Sequence, residues 1–117
     1  MSKITIWHNP RCSKSREAMS ILEEKKCDIE VINYLEVSLT KDDIKNLLKM
    51  LGLSSSREWI RTKESIYTEL NLHQESDEER LIEAMIQYPK LIERPVIIKE
   101  SSAIIGRPTS IIDAFVE

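Results

Sequence analysis

The stretch Ile4-Thr5-Ile6-Trp7-His8-Asn9-Pro10-Arg11-Cys12-Ser13-Lys14-Ser15-Arg16 decides how this chain folds. It begins as a short apolar run rich in β-branched residues and then meets a turn signal, Asn9-Pro10. After Cys12 the apolar residues recur with helical spacing, at Ala18, Met19, Ile21 and Leu22. The pattern therefore predicts a strand, a tight loop and a helix that ends at about Lys26.

Cys12 is expected at or just before the first turn of this helix. There, unpaired backbone N–H groups and the positive end of the helix dipole favour a thiolate. Lowering a thiol pKa by about two units requires roughly 2.7 kcal/mol, whereas a helix terminus contributes only ~0.3–1 kcal/mol. Other positive groups must therefore contribute, and Arg11, Lys14 and Arg16 are close in sequence. The alternative is a buried free cysteine, because cysteine is among the most buried residue types.

Length and composition predict one folded domain of 117 residues. Hydrophobic residues make up 41% of the chain, which suffices for a core, and the net charge of −3 disfavours general nucleic-acid binding. No apolar run approaches the ~20 residues of a membrane span, and the N-terminus shows no signal-peptide pattern. We therefore expect a cytoplasmic protein that binds neither nucleic acid nor membrane, with any anion site formed by a local cluster of positive charge.

The two cysteines, Cys12 and Cys27, have a spacing that fits neither a zinc site nor a disulfide framework. No metal and no bound cofactor are expected. Cys27 follows the first helix, about 20 Å from Cys12 if that helix rises ~1.5 Å per residue. A direct disulfide between them is therefore not expected, and Cys27 is interpreted as a buried or incidental thiol.

Residues 28–35 predict the second strand. Their apolar side chains alternate loosely between two faces, as in a strand buried on both sides. Because strand, helix and strand follow one another within the first thirty-five residues, we expect a βαβ unit. Its two strands should be parallel, with a right-handed crossover.

A helical block is predicted between the second and third strands, at about residues 40–90. Its helix boundaries are indicated by capping or helix-breaking residues, namely the pair Thr40 and Asp43, Gly52, the capping box of Ser76 with Glu79, and Pro89. No flexible linker separates this block from its neighbours, so we expect it to be an insertion within the same domain.

The C-terminal part predicts a hairpin and a last helix. Two short apolar runs, residues 95–99 and 103–106, are separated by a polar turn, which is typical of two antiparallel strands. Pro108 suits the first position of the final helix. Its predecessor, Arg107, is a poor N-cap, and a local rule broken at a helix start indicates a functional residue.

This order of elements resembles the thioredoxin fold and, within it, the glutaredoxin-coupled arsenate reductase family. The motifs that carry the resemblance are His8-Asn9-Pro10-x-Cys12-x-x-Ser15-Arg16, Ile60-Arg61, Glu93-Arg94-Pro95-Val96 and Gly106-Arg107-Pro108. The resemblance covers essentially the whole chain. The resemblance implies an α/β protein with a four-stranded mixed sheet and a helical insertion, about residues 40–90, in a single domain over residues 1–117.

The resemblance also implies a reaction and its partners. In that family a cysteine attacks arsenate to form a Cys-S-arsenate, glutathione displaces it, and glutaredoxin resolves the mixed disulfide. The expected partners are therefore arsenate or a similar small oxyanion, glutathione and glutaredoxin. By this resemblance Cys12 corresponds to the nucleophile, and His8 and Ser15 to the residues that assist it. The oxyanion-binding residues would be Arg16, Arg61, Arg94 and Arg107. The resemblance also implies a cis peptide bond between Arg94 and Pro95.

The residue types agree with this chemistry on independent grounds. A tetrahedral oxyanion needs several fixed donors, and arginine offers a planar fork of N–H groups with a permanent charge. Arg94 and Arg107 each precede a proline, which restricts the backbone that carries the guanidinium. Taken alone, each arginine is more often a solvated surface residue, so only the set of arginines indicates an oxyanion site.

Two other functions fit the same sequence. One is a regulator of the Spx type, which shares the fold and binds RNA polymerase, although many Spx regulators carry a CxxC switch. Here Ser15 stands where the second cysteine of that switch would be, so an external thiol must resolve any intermediate. The other is a glutathione-dependent reductase that acts on a different small substrate. The arginine set favours an enzyme.

Overall fold

The computed structural model describes residues 3–116. Strands and helices follow the predicted order, and three short 3₁₀ helices connect them at Ser56–Glu58, Leu72–Gln74 and Pro89–Leu91. The main elements are β1 (Lys3–Trp7), α1 (Ser13–Glu24), β2 (Asp28–Ile32), α2 (Lys41–Leu51), α3 (Ser65–Glu69), α4 (Glu78–Gln87), β3 (Val96–Lys99), β4 (Ser102–Ile105) and α5 (Ile111–Val116).

The four strands form one mixed sheet with the order β2-β1-β3-β4. β1 and β2 are parallel, β1 and β3 are antiparallel, and β3 and β4 form the antiparallel hairpin. The predicted four-stranded mixed sheet is confirmed. With these directions, β1, β2 and β4 end at the same edge of the sheet at which β3 begins. Four loops therefore meet at that edge, and the loop that carries Cys12 is one of them.

The prediction that β2 is buried on both sides is wrong. β2 lies at the edge of the sheet, where its side chains have a neighbouring strand on one side only and are less covered than those of the central strands. Its Val31 side chain is 48% exposed, and no residue of the strand is fully buried. The central strands β1 and β3 instead carry the fully buried side chains, among them Ile6 and Ile97.

The sheet packs with α1 and α5 in a compact unit of residues 3–37 and 94–116. Its core is formed by buried side chains from both helices and both central strands, namely Ile4, Ile6, Ala18, Leu22, Ile97 and Ile112. Trp7, at the end of β1, stacks on Tyr34 with ring centroids 5.9 Å apart. Because each buried large apolar side chain stabilises the fold by about 1.5–3 kcal/mol, the end of β1 is firmly held.

The second compact unit spans Ser38–Glu93 and contains the predicted helical insertion. The capping box is present at the start of α2, where the Thr40 N–H donates to Asp43 at 2.9 Å and the Asp43 N–H donates to Thr40 at 3.2 Å. Gly52 ends the helix with φ 71°, a conformation that glycine adopts without strain. No helix of residues 3–116 has the length and apolar character needed to cross a membrane.

Two predicted helix starts are wrong by one and by three residues. α4 has Asp77 as its N-cap, and not Ser76, because the Asp77 carboxylate accepts the Glu79 N–H at 3.0 Å. The last helix begins at Ile111 and not at Pro108. The Ile111 N–H donates to the Pro108 carbonyl at 3.2 Å, which closes a tight turn before the helix.

Candidate active site

Cys12 lies at the N-terminus of α1 as predicted. It is the N-cap residue, with an extended backbone, and it is 8% exposed. Its own N–H donates to the Asn9 carbonyl at 3.0 Å, which closes the loop between β1 and α1. The backbone N–H groups of Lys14 and Ser15 donate to its sulfur. The first turn of the helix thus forms an anion-binding pocket around Sγ.

Two arginines from distant parts of the chain reach the same sulfur. Nη2 of Arg107 lies 3.6 Å from Sγ of Cys12. The Arg94 guanidinium also donates a hydrogen bond to Sγ. Nε of Arg107 donates to the Arg94 carbonyl at 2.8 Å, so the two residues also hold one another. Arg94 precedes β3 and Arg107 follows β4, which is why the sheet edge brings them together.

This environment stabilises the thiolate. Burial by itself raises the pKa of Cys12, but the N–H donors of Ser15 and Lys14 and the Arg94 guanidinium outweigh it, so the pKa is lowered. The charge that lowers the pKa comes from Arg94, and not from the sequence neighbours that were expected to supply it. Lys14 instead pairs with Glu17 at 3.7 Å.

His8 and Ser15 form a hydrogen-bonded pair beside the sulfur. Nδ1 of His8 lies 2.7 Å from the Ser15 hydroxyl oxygen, which also accepts the Asn9 N–H at 3.0 Å. Ser15 is fully buried, and burial lowers the pKa of His8, which favours a neutral ring. The hydroxyl of Ser15 therefore holds the loop in place, and it is the Ser15 N–H that contacts Sγ.

A close packing contact holds the two arginine loops. The Arg94-Pro95 peptide is cis as the resemblance implied, and the Arg107-Pro108 peptide is also cis. The Gly106 N–H donates to the Pro95 carbonyl at 2.8 Å. A Cβ on Gly106 would lie 3.0 Å from both Pro95 Cγ and Ile112 Cδ1, so a larger residue does not fit without displacement. Glycine therefore allows close packing of Pro95 and Ile112 here.

The remaining predicted arginines have other hydrogen-bond partners. Nη1 of Arg61 pairs with Glu93 at 2.7 Å, and its Nε lies 3.4 Å from Glu64, all within the second unit. Arg16 is exposed, and its guanidinium donates to the Pro10 carbonyl at 3.3 Å. An oxyanion role for Arg61 and Arg16 stays a prediction.

Sequence reasoning missed two groups that shape the site. Oδ1 of Asn9 accepts the Arg11 N–H at 3.0 Å, an Asx turn that orders the loop before Cys12. An asparagine at a turn before a proline is the sequence signal for it. The backbone carbonyl of Arg94, which holds Arg107, has no sequence signal.

Among residues 3–116, no group of three metal-ligating side chains is arranged to bind a metal ion.

The chain belongs to the ArsC family, whose model matches residues 7–115. It is 49% identical over 107 residues to "Uncharacterized protein YfgD" of Escherichia coli strain K12, covering 91% of this chain and 90% of that protein. It is 41% identical over 115 residues to "Arsenate reductase" of Neisseria meningitidis serogroup B, covering 97% and 98%. The solved structure "Arsenate reductase from Vibrio cholerae" superimposes with a TM-score of 0.92 at 40% identity, covering 97% of each chain. The fold is thioredoxin-like.

Proposed function

We propose that this protein reduces arsenate to arsenite in the cytoplasm, with Cys12 as the nucleophile and with glutathione and glutaredoxin as the source of electrons. The observation that carries the proposal is the Cys12 sulfur, whose pKa is lowered and which has Arg107 at 3.6 Å and the Arg94 guanidinium beside it. A nucleophilic thiolate and two fixed cations are what an attack on a tetrahedral oxyanion needs. Relatives named arsenate reductase support the choice of arsenic.

In the first step the Cys12 thiolate attacks the arsenic atom of arsenate. An S–As bond forms, one arsenic oxygen leaves as hydroxide and takes up a proton to become water, and arsenic stays in the +5 state. Arg94 and Arg107 bind the negative oxygens of the arsenate. The N–H groups at the start of α1 add further donors for negative charge.

In the second step a glutathione thiolate attacks Sγ of Cys12. An S–S bond forms while the S–As bond breaks, and its electron pair reduces arsenic to the +3 state, which leaves as arsenite. Glutaredoxin then attacks the glutathionyl sulfur and releases the Cys12 thiolate. An external thiol is required because the loop has Ser15 in place of a second cysteine.

The test is arsenate-dependent oxidation of NADPH by the full chain with glutathione, glutaredoxin and glutathione reductase. We expect turnover by the wild type and by Cys27→Ser, and none above background by Cys12→Ser. Arg94→Ala and Arg107→Ala should raise KM for arsenate and lower kcat/KM by about 10- to 100-fold each, the range for loss of a charged contact to a transition state. Wild-type protein that gives no turnover with arsenate would refute the proposal.

A further inference from the structure

A cavity of about 230 Å³ lies beside the Cys12 loop, within the first compact unit. It is smaller than the ~300–1,000 Å³ of a pocket for a whole ligand, so it suits one part of a molecule. The loops after β1 and β2 line it, through Asn9, Pro10, Arg11, Asn33, Leu35 and Glu36. Neither the proposed chemistry nor the arginine set uses this cavity.

The cavity carries opposite charges that are not neutralised by neighbours. Within residues 3–116, neither the Arg11 guanidinium nor the Glu36 carboxylate forms a salt bridge. The side-chain oxygens of Asn9 and Asn33 accept the N–H groups of Arg11 and Leu35, at 3.0 and 3.2 Å. Their amide nitrogens have no partner in the same part of the chain. The lining thus offers a cation and two amide donors for a carboxylate, and an anion for an ammonium group.

The cavity and the arginines lie on opposite flanks of Cys12. In the strand order β2-β1-β3-β4, the loop after β1 has the loop after β2 on one side and the arginine loops beside β3 and β4 on the other. Substitution at a divalent sulfur is in line, so the incoming thiolate and the leaving group lie on opposite sides of it. If the arginines hold arsenic, in-line attack comes from the side of Sγ away from them, and in the strand order that is the side of the loop after β2, which lines the cavity.

We propose that this cavity binds the α-amino-acid end of a small thiol co-substrate, the γ-glutamyl end of glutathione. The carboxylate binds Arg11 and the two asparagine amides, and the ammonium group binds Glu36. In extended glutathione the γ-glutamyl α-carbon lies roughly 8 Å from the thiol, between two and three residue lengths. Arg11 is adjacent to Cys12 in the chain, so that reach suffices. The inference rests on the proposed function for the step that follows binding, but the binding itself does not require arsenate.

Calorimetric titration with S-methylglutathione tests the site without chemistry, because the methyl group blocks the thiol. We expect binding to the wild-type protein, and dissociation constants about tenfold higher for Arg11→Ala and Glu36→Gln, the effect of losing one charge-assisted contact. Arg80→Ala is the control, since this arginine is 71% exposed in the second unit and should bind like the wild type. An S-methylated analogue that lacks the ammonium group should bind the wild type more weakly than S-methylglutathione does. Its affinity for Glu36→Gln should equal its affinity for the wild type.

Two results would overturn the inference. They are the absence of binding to the wild type at millimolar S-methylglutathione, and equal affinity of Arg11→Ala, Glu36→Gln and the wild type. In the coupled assay, Arg11→Ala should raise KM for glutathione about tenfold and leave KM for arsenate unchanged. A wild-type protein that binds S-methylglutathione through Arg11 and Glu36 but reduces no arsenate would refute the proposed function and support this site.

Discussion

Cys12 shows how a single residue acquires reactivity from its surroundings. The helix terminus alone contributes too little to ionise a thiol, because one terminus is worth only ~0.3–1 kcal/mol. Arg94 adds a full positive charge beside the sulfur of Cys12. Cys12 is only 8% exposed, so the Coulomb interaction is screened less than it would be in water. The ionisation of this thiol therefore depends on a contact between residues that are far apart in sequence.

The rate of alkylation of Cys12 by iodoacetamide should report this contact. In a Cys27→Ser background, the pH at which the rate reaches half its maximum should move up in Arg94→Ala, because loss of the cation disfavours the thiolate and raises the pKa of Cys12. Lys14→Ala should leave it unchanged, since the Lys14 side chain is exposed and paired with Glu17. Equal profiles for Arg94→Ala and Lys14→Ala would show that Arg94 does not control the thiol.

At the scale of elements, Gly106 links the two loops that carry the arginines. Its N–H binds the Pro95 carbonyl, and its missing side chain lets Pro95 and Ile112 of α5 pack against it. Gly52 serves a different purpose, because φ 71° at the end of α2 favours glycine while the space around it is open. The two glycines make a matched pair of substitutions.

Gly106→Ala should lower the free energy of unfolding by about 1–3 kcal/mol, because the new methyl group overlaps Pro95 and Ile112. It should also raise KM for arsenate, since Pro95 carries the Arg94 loop. Gly52→Ala should cost about 1 kcal/mol through backbone strain but leave KM unchanged. Urea denaturation and steady-state kinetics of both variants measure these effects. A Gly106→Ala protein with wild-type stability and KM would contradict this role.

Arg57 is the side chain that joins the short helices of the second unit. Its guanidinium donates to the Tyr67 hydroxyl at 3.1 Å, to the Leu72 carbonyl at 2.8 Å and to the Glu75 carbonyl. These three acceptors belong to α3 and to the segment between α3 and α4. One charged group thus replaces the continuous backbone hydrogen bonding that such short elements lack.

Arg57→Ala should lower the free energy of unfolding by about 2–4 kcal/mol, because it leaves partly buried acceptors without a donor. Arg80→Ala is the control, since the two ion pairs of this exposed arginine are 3.9 Å long and should contribute little. Urea denaturation followed by circular dichroism gives both values. Similar stability of the two variants would show that the Arg57 contacts contribute little to the fold.

At the scale of the whole molecule, a net charge of −3 coexists with a positive site. The two guanidiniums at Cys12 concentrate positive charge at one sheet edge, so we expect anion binding there to depend on this local charge and not on the net charge. Anything that binds the folded state and not the unfolded state stabilises the fold by mass action. Binding of an unreactive oxyanion should therefore be visible as thermal stabilisation.

Sulfate, a tetrahedral dianion that the reaction cannot reduce, should raise the melting temperature of the protein. At ten times the dissociation constant the gain is about 1.4 kcal/mol, or about 5 °C for a chain of this size. The Arg94→Ala/Arg107→Ala double variant should show no shift beyond that of sodium chloride at equal ionic strength. A shift as large in the double variant as in the wild type would place sulfate binding elsewhere.

Local patterns in the sequence sufficed to predict the elements and the position of Cys12 at the start of α1. The change of apolar period at Cys12 predicted β1, the loop and α1, and capping residues predicted both ends of α2. These predictions succeeded because each depends on interactions within a few residues, such as capping hydrogen bonds and apolar spacing. At the start of α4, the neighbouring residues Ser76 and Asp77 could both serve as the N-cap, and Asp77 does. At the start of α5, a turn precedes the helix, which begins at Ile111.

The sequence by itself determined that this chain forms a mixed sheet with a cysteine at a helix N-terminus and arginines beside prolines. Only the tertiary structure decided which charges act on that cysteine. Arg11, Lys14 and Arg16 are near it along the chain, yet Arg94 supplies the charge and Arg107 the 3.6 Å contact. The reason is physical: Coulomb interactions depend on distance in space, and strand order sets that distance.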